Sequence, residues 1–262
     1  MEPQPEYRLE VIAFNLESCL IAERAGAHRI ELCDNPGEGG TTPSYGTIHI
    51  ARQKTGIRLF PIIRPRGGDF LYSRDEFEIM KKDIRLCRET GCDGVVIGML
   101  HSDGTVDKIR CSRLVDLAYP MGVTFHRAFD RVYDPYESLE DVIDIGCERI
   151  LTSGGRPLAM DGAFTIAQLV KQSDSRISIM PGSGVRASNI MELLHQTGVT
   201  EFHSSARNLV PSGMEYQNPA MNENLQSILL NEDEVKQMAR LLKSRSVVTN
   251  HGADGELPSM QG

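Results

Sequence analysis

The chain has 262 residues, 40% hydrophobic and 24% charged, and a formal net charge of −8. That is the composition of a globular domain. The acidic balance argues against a nucleic-acid partner, which demands a basic face, and no apolar run approaches the roughly 20 residues that cross a bilayer, which argues against a membrane partner.

The opening segment "MEPQPEYR" is acidic and carries two prolines, so it does not read as a secretory signal. "RLEVIAF" (8–14) is the first expected strand, followed by a helix that Asn15 or Ser18 can cap. Four segments then share one frame: "AGAHRIELC", "TGCDGVVIG", "IGCERILTS" and "TGVTEFHSS", with "MGVTFHRAF" as a looser copy. In each, a helix-like stretch meets a glycine and then a strand. Gly26, Gly91, Gly146 and Gly198 are therefore expected to end helices in the left-handed conformation. "IRLFPIIR" (57–64) and "RISIMPG" (176–182) complete eight strands, beginning near residues 8, 28, 57, 93, 123, 148, 176 and 200. "SRDE" (73–76) reads as a capping box and "NEDE" (231–234) resembles one before the last helix.

Strand–helix alternation at this spacing means parallel pairing. Eight such units predict an α/β fold: one TIM-type (β/α)8 barrel domain over residues 8–246. Residues 207–230 read as a long irregular loop, and the polar, glycine-bearing segment 247–262 as a disordered tail.

In such a barrel the C-terminal strand ends carry the site. Strand 2 brings Glu31 and Cys33 there, strand 3 brings Arg64, Arg66 and Asp69, and strand 5 brings His126, Arg127 and Asp130. Glu31, His126 and Asp130 are the acid–base candidates. His126 is expected to pair with Glu31 or Asp69, and Arg64 and Arg66 to clamp a carboxylate or phosphate. The glycine-rich turn Gly182–Ser183–Gly184 precedes a helix, and with His203 and Ser204 it lies where many barrels bind phosphate. These groups predict a site for a small anionic metabolite.

The six cysteines are scattered, with no CxxC spacing, which fits a reduced, cytosolic compartment. Only Cys33 falls at the functional rim. Met99 and Met180 are soft donors that could join it, and the remaining cysteines read as small packing residues.

The motifs "RIELC", "EGGTTPS", "IIRPRGGDF", "VTFHRAFD", "LTSGG", "GSGVR" and "HSSA", in this order, resemble the copper homeostasis protein CutC family. The resemblance runs from Leu9 to about Asn208. It implies a TIM-type barrel, a cytoplasmic and in some eukaryotes also nuclear location, a homo-oligomer (dimer or tetramer), and copper handling through Cu(I) binding. The cysteine of "RIELC" matches Cys33. The first-strand cysteine credited with copper binding in some members aligns with Ile12, so one of two soft ligands is replaced. Two functions follow as expectations: Cu(I) handling with Cys33 as ligand, and an enzyme that uses His126 and Glu31 on an anion held by Arg64 and the glycine turn.

Overall fold

The structure, a computed structural model, describes residues 6–248. Eight parallel strands form the ring: β1 Arg8–Ala13, β2 Arg29–Leu32, β3 Arg58–Pro61, β4 Gly94–Ile97, β5 Gly122–Phe125, β6 Arg149–Thr152, β7 Ser178–Pro181 and β8 Glu201–Ser204. Hydrogen-bonded ladders run β3–β2–β1–β8 and β4–β5–β6–β7. The bridge Ile62–Val96 joins β3 to β4, and β7 lies beside β8, which completes the ring. Every expected strand is present and begins within two residues of the expected position.

Eight helices surround the ring: α1 Leu16–Arg24, α2 Tyr45–Lys54, α3 Arg74–Thr90, α4 Lys108–Ala118, α5 Pro135–Ile145, α6 Ala163–Ser173, α7 Ile190–Thr197 and α8 Glu232–Val248. Their ends are set by short-range chemistry. Asn15 caps α1 by accepting from the Ser18 N–H, and Ser73 and Glu76 form both halves of the capping box of α3. Asn231 caps α8 through its side chain, but Glu234 turns away from the reciprocal bond to accept from the Ala187 N–H. Gly26, Gly91, Gly146 and Gly198 all have positive φ, as the repeat frame requires. The main apolar core packs strands against helices, with Leu9, Ile30, Leu59, Val95, Phe125, Ile150 and Phe202 buried in it.

Two boundaries differ from expectation. Residues 207–230 are not wholly irregular: β9 Arg207–Val210 pairs antiparallel with β10 Ser227–Leu230. The hairpin is fastened to α1, where Asn15 donates to the Ile228 carbonyl and Ser18 Oγ accepts from the Leu230 N–H. The last helix also runs two residues past Ser246. The rest of the expected tail, 249–262, lies outside the described residues.

Candidate active site

Strands of a parallel barrel are normally apolar on both faces. Here alternate positions on β1, β2, β6 and β8 carry charge instead, and Glu10, Arg29, Glu31, Arg149, Glu201 and His203 are all buried. Charges out of water demand partners, and these find one another. Arg29 pairs with Glu10 and, at 2.6 Å, with Glu201. Arg149 holds the same Glu201 at 2.6 Å and bonds Thr124 Oγ1 at 3.1 Å. Both guanidinium groups sit over the Phe60 ring, at 5.3 and 5.8 Å from its centroid. Gly94 makes room for that ring, because a Cβ there would stand 2.1 Å from it. The second oxygen of Glu10 takes His203 Nδ1 at 2.7 Å.

The electrostatics separate the carboxyls. Burial would raise Glu10, but Arg29 and His203 hold it well below the usual carboxylate range. Glu201 is likewise raised by burial, lowered by Arg149 and Arg29, and ends low. Glu31 is the exception. Burial pushes it up to about 7; His203 opposes that, and Glu10 adds to it. Its nearest cation is His203 Nε2 at 3.7 Å, and it accepts no hydrogen bond among the described residues. Burial works to lower His203, but its bond to Glu10 and the charge of Glu31 raise it overall.

Above this network lies a cavity of about 370 Å³ at the C-terminal end of the strands. Among the described residues Glu31 is the one carboxylate lining it, and Arg64, Arg127, Arg186 and Arg207 line it as well. His126 also lines it. Ala128 N–H donates to His126 Nδ1 at 3.1 Å, which fixes Nδ1 as acceptor and leaves the proton on Nε2. Burial, then Arg64 and Arg131, push this imidazole down to about 3, so it is neutral. Its Nε2 is buried without a partner. Gly98 admits the ring: a Cβ there would lie 2.5 Å from it.

The remaining sequence candidates take other places. His126 pairs with neither Glu31 nor Asp69; it packs at a tilt against Phe70, with centroids 4.9 Å apart. Asp69 is exposed and bound to Arg66 at 2.9 Å, while Arg66 also holds Glu76 at 2.6 Å, and neither reaches the cavity. Arg64 clamps no carboxylate. It donates to the carbonyls of Glu38, Gly40 and Gly68, which ties two rim loops together, and it keeps its side chain on the cavity wall. Asp130 is consumed by Arg127, the Thr152 and Ser153 hydroxyls and the Ser153 and Gly155 N–H groups. Ser183 and Gly184 do line the cavity, although the Ser183 hydroxyl is donated to the Pro157 carbonyl; Gly182 is packed under Leu151. Ser204 donates to the Val185 carbonyl, and Ser205 is the serine that lines the cavity. His203 lines it too, but it is bound to carboxylates rather than free for an anion.

Cys33 is buried in a separate apolar cluster with Phe60, Ile62 and Val96, with Ile12 and Phe14 packed against it. Burial, then Glu31 and Glu10, push its thiol well above the ordinary value. The soft donors expected nearby lie elsewhere: Met180 Sδ takes a bond from Arg29, and Met99 belongs to the main core.

Sequence reading by strand ends missed Glu10, Arg29, Arg149 and Glu201, and did not single out Arg186 or Arg207. The signal for the first four was present: a charge at an inward position, inside β1 for Glu10 and at the first residue of β2, β6 and β8 for Arg29, Arg149 and Glu201, in strands that should be apolar.

A family model described as the CutC family matches residues 7–208. A Chromobacterium violaceum CutC family protein is 53% identical over 208 residues, covering 79% of this chain and 84% of that protein. A Mus musculus protein named copper homeostasis protein cutC homolog is 49% identical over 215 residues, covering 82% and 79%. The solved structure of a CutC from Streptococcus agalactiae superposes with a TM-score of 0.73 at 35% identity, covering 76% of this chain and 98% of that one. With the barrel, the motif order and these relatives in agreement, the chain belongs to the CutC family.

Proposed function

We propose that the rim cavity is the acid–base site of an enzyme acting on a small anionic metabolite that bears a phosphate or carboxylate. The observation that carries this reading is Glu31: a buried residue that lines a cavity whose other charged wall residues are arginines and histidines, with His203 Nε2 at 3.7 Å as its one ion partner among the described residues. Carboxyls displaced by burial in this way concentrate in clefts where chemistry is done. At about 7, Glu31 is poised to take and return a proton at neutral pH.

The anion is held at the strand 7 and 8 end. Arg186 and Arg207 make no ion pair among the described residues, and both line the cavity, as Gly184 and Ser205 do. This is the region where many barrels take phosphate. Thermal unfolding with and without inorganic phosphate tests the grip. Phosphate is expected to raise the wild-type midpoint, by about 2.7 kcal/mol of stability at one hundred times Kd, and to leave Arg186→Met unmoved. A wild-type midpoint indifferent to phosphate and to small carboxylates removes the reading.

Copper handling is the second reading, supported by the name of the mouse relative, copper homeostasis protein cutC homolog, and by the match of Cys33 to the family motif. Copper would be cargo, in the cytoplasmic and in some eukaryotes nuclear setting and the homo-oligomer that the family resemblance implies. The donor set does not fit it: Cu(I) wants two or three soft ligands, and Cys33 stands as one thiol with its proton held tightly. Ile12 packs beside it, so Ile12→Cys is expected to tighten Cu(I) binding in an anaerobic titration. In the same titration, equal affinities for wild type and Cys33→Ser exclude Cys33 as the ligand, and a clear loss in Cys33→Ser restores the copper reading.

A further inference from the structure

Among the described residues, three buried side-chain polar atoms lack a hydrogen-bond partner: Arg64 Nε, His126 Nε2 and Tyr72 Oη. Tyr72 is off the cavity wall, whereas Arg64 and His126 both line it. Both also flank one ring: the Arg64 guanidinium lies 5.0 Å and the His126 imidazole 4.9 Å from the Phe70 centroid. Each is held by its other atoms. Arg64 spends its terminal nitrogens on three backbone carbonyls. His126 spends Nδ1 on the Ala128 N–H. What remains of each is one buried N–H with no hydrogen-bond partner among the described residues, although the Arg64 guanidinium also lies near the Tyr72 hydroxyl and opposes the upward shift that burial gives it. Two such donors on one cavity wall are the arrangement that stabilises an oxygen as it gains negative charge.

We propose that Arg64 Nε–H and His126 Nε2–H form an oxyanion hole for an enolate, with Glu31 as the base, so that the reaction is proton transfer next to a carbonyl in a small phosphorylated or carboxylated α-hydroxy ketone or aldehyde. This deepens the acid–base reading above and rests on it.

The step balances without any co-reactant. The Glu31 carboxylate removes the proton from the carbon beside the carbonyl. The C–H pair becomes the new C=C bond, and the carbonyl π pair moves to oxygen, where the two N–H groups receive it. Glu31 then returns the proton to the same carbon or, in an α-hydroxy carbonyl compound, to the former carbonyl carbon while the neighbouring hydroxyl passes its proton to the enolate oxygen and its O–H pair becomes the new carbonyl π bond. Nothing is oxidised or reduced overall.

The inventory of the wall favours this class over hydrolysis. Breaking a C–O, C–N or P–O bond needs a base for water and an acid for the leaving group. Among the described residues the wall holds one carboxylate, and its other raised group, His203, is bound to Glu10 beneath it. His126 is neutral and donates from Nε2 with Nδ1 occupied, so it polarises an oxygen but is not a free base. A proton moved between adjacent carbons needs only one group that takes it and gives it back. Among the described residues no lysine lines the cavity either, so an imine route has no amine there.

The test is hydrogen–deuterium exchange, read by proton NMR in D2O, on four probes: glyceraldehyde 3-phosphate, dihydroxyacetone phosphate, ribulose 5-phosphate and hydroxypyruvate. Wild type is expected to exchange the α-hydrogen of at least one. Glu31→Gln should abolish the exchange. His126→Asn should lower its rate about 10²–10³-fold, the usual cost of one oxyanion donor. Asparagine still offers an oxygen to the Ala128 N–H, so the local turn survives while the outward N–H is lost. Inorganic phosphate should bind His126→Asn as it binds wild type. Absence of exchange on all four probes overturns the proposal; whether phosphate still stabilises the wild type then shows separately if the anion reading stands or falls with it. Loss of phosphate binding in His126→Asn, in proportion to the loss of exchange, assigns His126 a structural role and also overturns the proposal.

Discussion

Replacing Arg29 with alanine is expected to destabilise the barrel by about 3–5 kcal/mol, the range for removing one partner of a buried ion pair. Arg29 is among the largest fully buried side chains and joins Glu10 to Glu201 at the barrel axis. Without it Glu10 keeps only His203 and Glu201 only Arg149. The lost packing over Phe60 adds to the cost. Urea unfolding checks it: the midpoint should fall with the slope unchanged. Neutralising a partner should relieve part of the damage, so Arg29→Met with Glu10→Gln should be more stable than Arg29→Met alone. The penalty also depends on pH. Glu10 and Glu201 are depressed in the fold, so the stability they gain from Arg29 is present above their unfolded value of 4.5 and is lost as pH falls toward their folded values. Wild type and Arg29→Ala should therefore converge in acid. A loss under about 1 kcal/mol at neutral pH would show that the network is not closed in the way described.

Glu31→Gln is expected to stabilise the fold at alkaline pH while removing the proposed chemistry. The carboxyl is raised from 4.5 to about 7, so the folded state holds its proton where the unfolded chain has released it. Wild-type stability from this group is full below pH 4.5, falls as pH rises to about 7, and then stays low. A neutral amide skips that loss, which is roughly 3 kcal/mol for the carboxyl alone. Part is returned, because His203 is raised by Glu31 and gives up that attraction in the variant. His126 has the opposite dependence: lowered to about 3, it favours the fold as pH rises from there to 6.5. The informative quantity is thus the difference between variant and wild type. It should be near zero below pH 4.5 and favour Glu31→Gln at pH 8. A variant less stable than wild type at pH 8 would mean that the carboxylate is compensated in the folded protein.

Much of the barrel was legible because its signals are local. Gly26, Gly91, Gly146 and Gly198 each end a helix one short loop before a strand, and a positive φ needs no knowledge of the rest of the chain. The β9–β10 hairpin was not legible, because what fixes it is Asn15 and Ser18, more than 200 residues earlier. The site divides the same way. Glu31, Arg64, His126, Ser183, Gly184 and His203 could be placed at the rim by counting to strand ends. Their pairings could not, since Arg64 meets carbonyls of two loops and His126 meets its own backbone. The buried charges were readable by parity: Glu10, Arg29, Arg149 and Glu201 interrupt strands that a parallel barrel would keep apolar. Glu31 is left over from that network, since Arg29 and Arg149 are spent on Glu10 and Glu201 while it has only His203 at 3.7 Å.

A crystal structure of the protein grown with inorganic phosphate, at a concentration calorimetry shows to be saturating, tests the site most directly. The account predicts phosphate in the rim cavity on the Arg186 and Arg207 guanidinium groups, with Glu31 facing it from below and Arg64 Nε and His126 Nε2 still free for a carbonyl oxygen. Phosphate bound elsewhere, with that cavity empty and Arg186 and Arg207 turned to solvent, would contradict it.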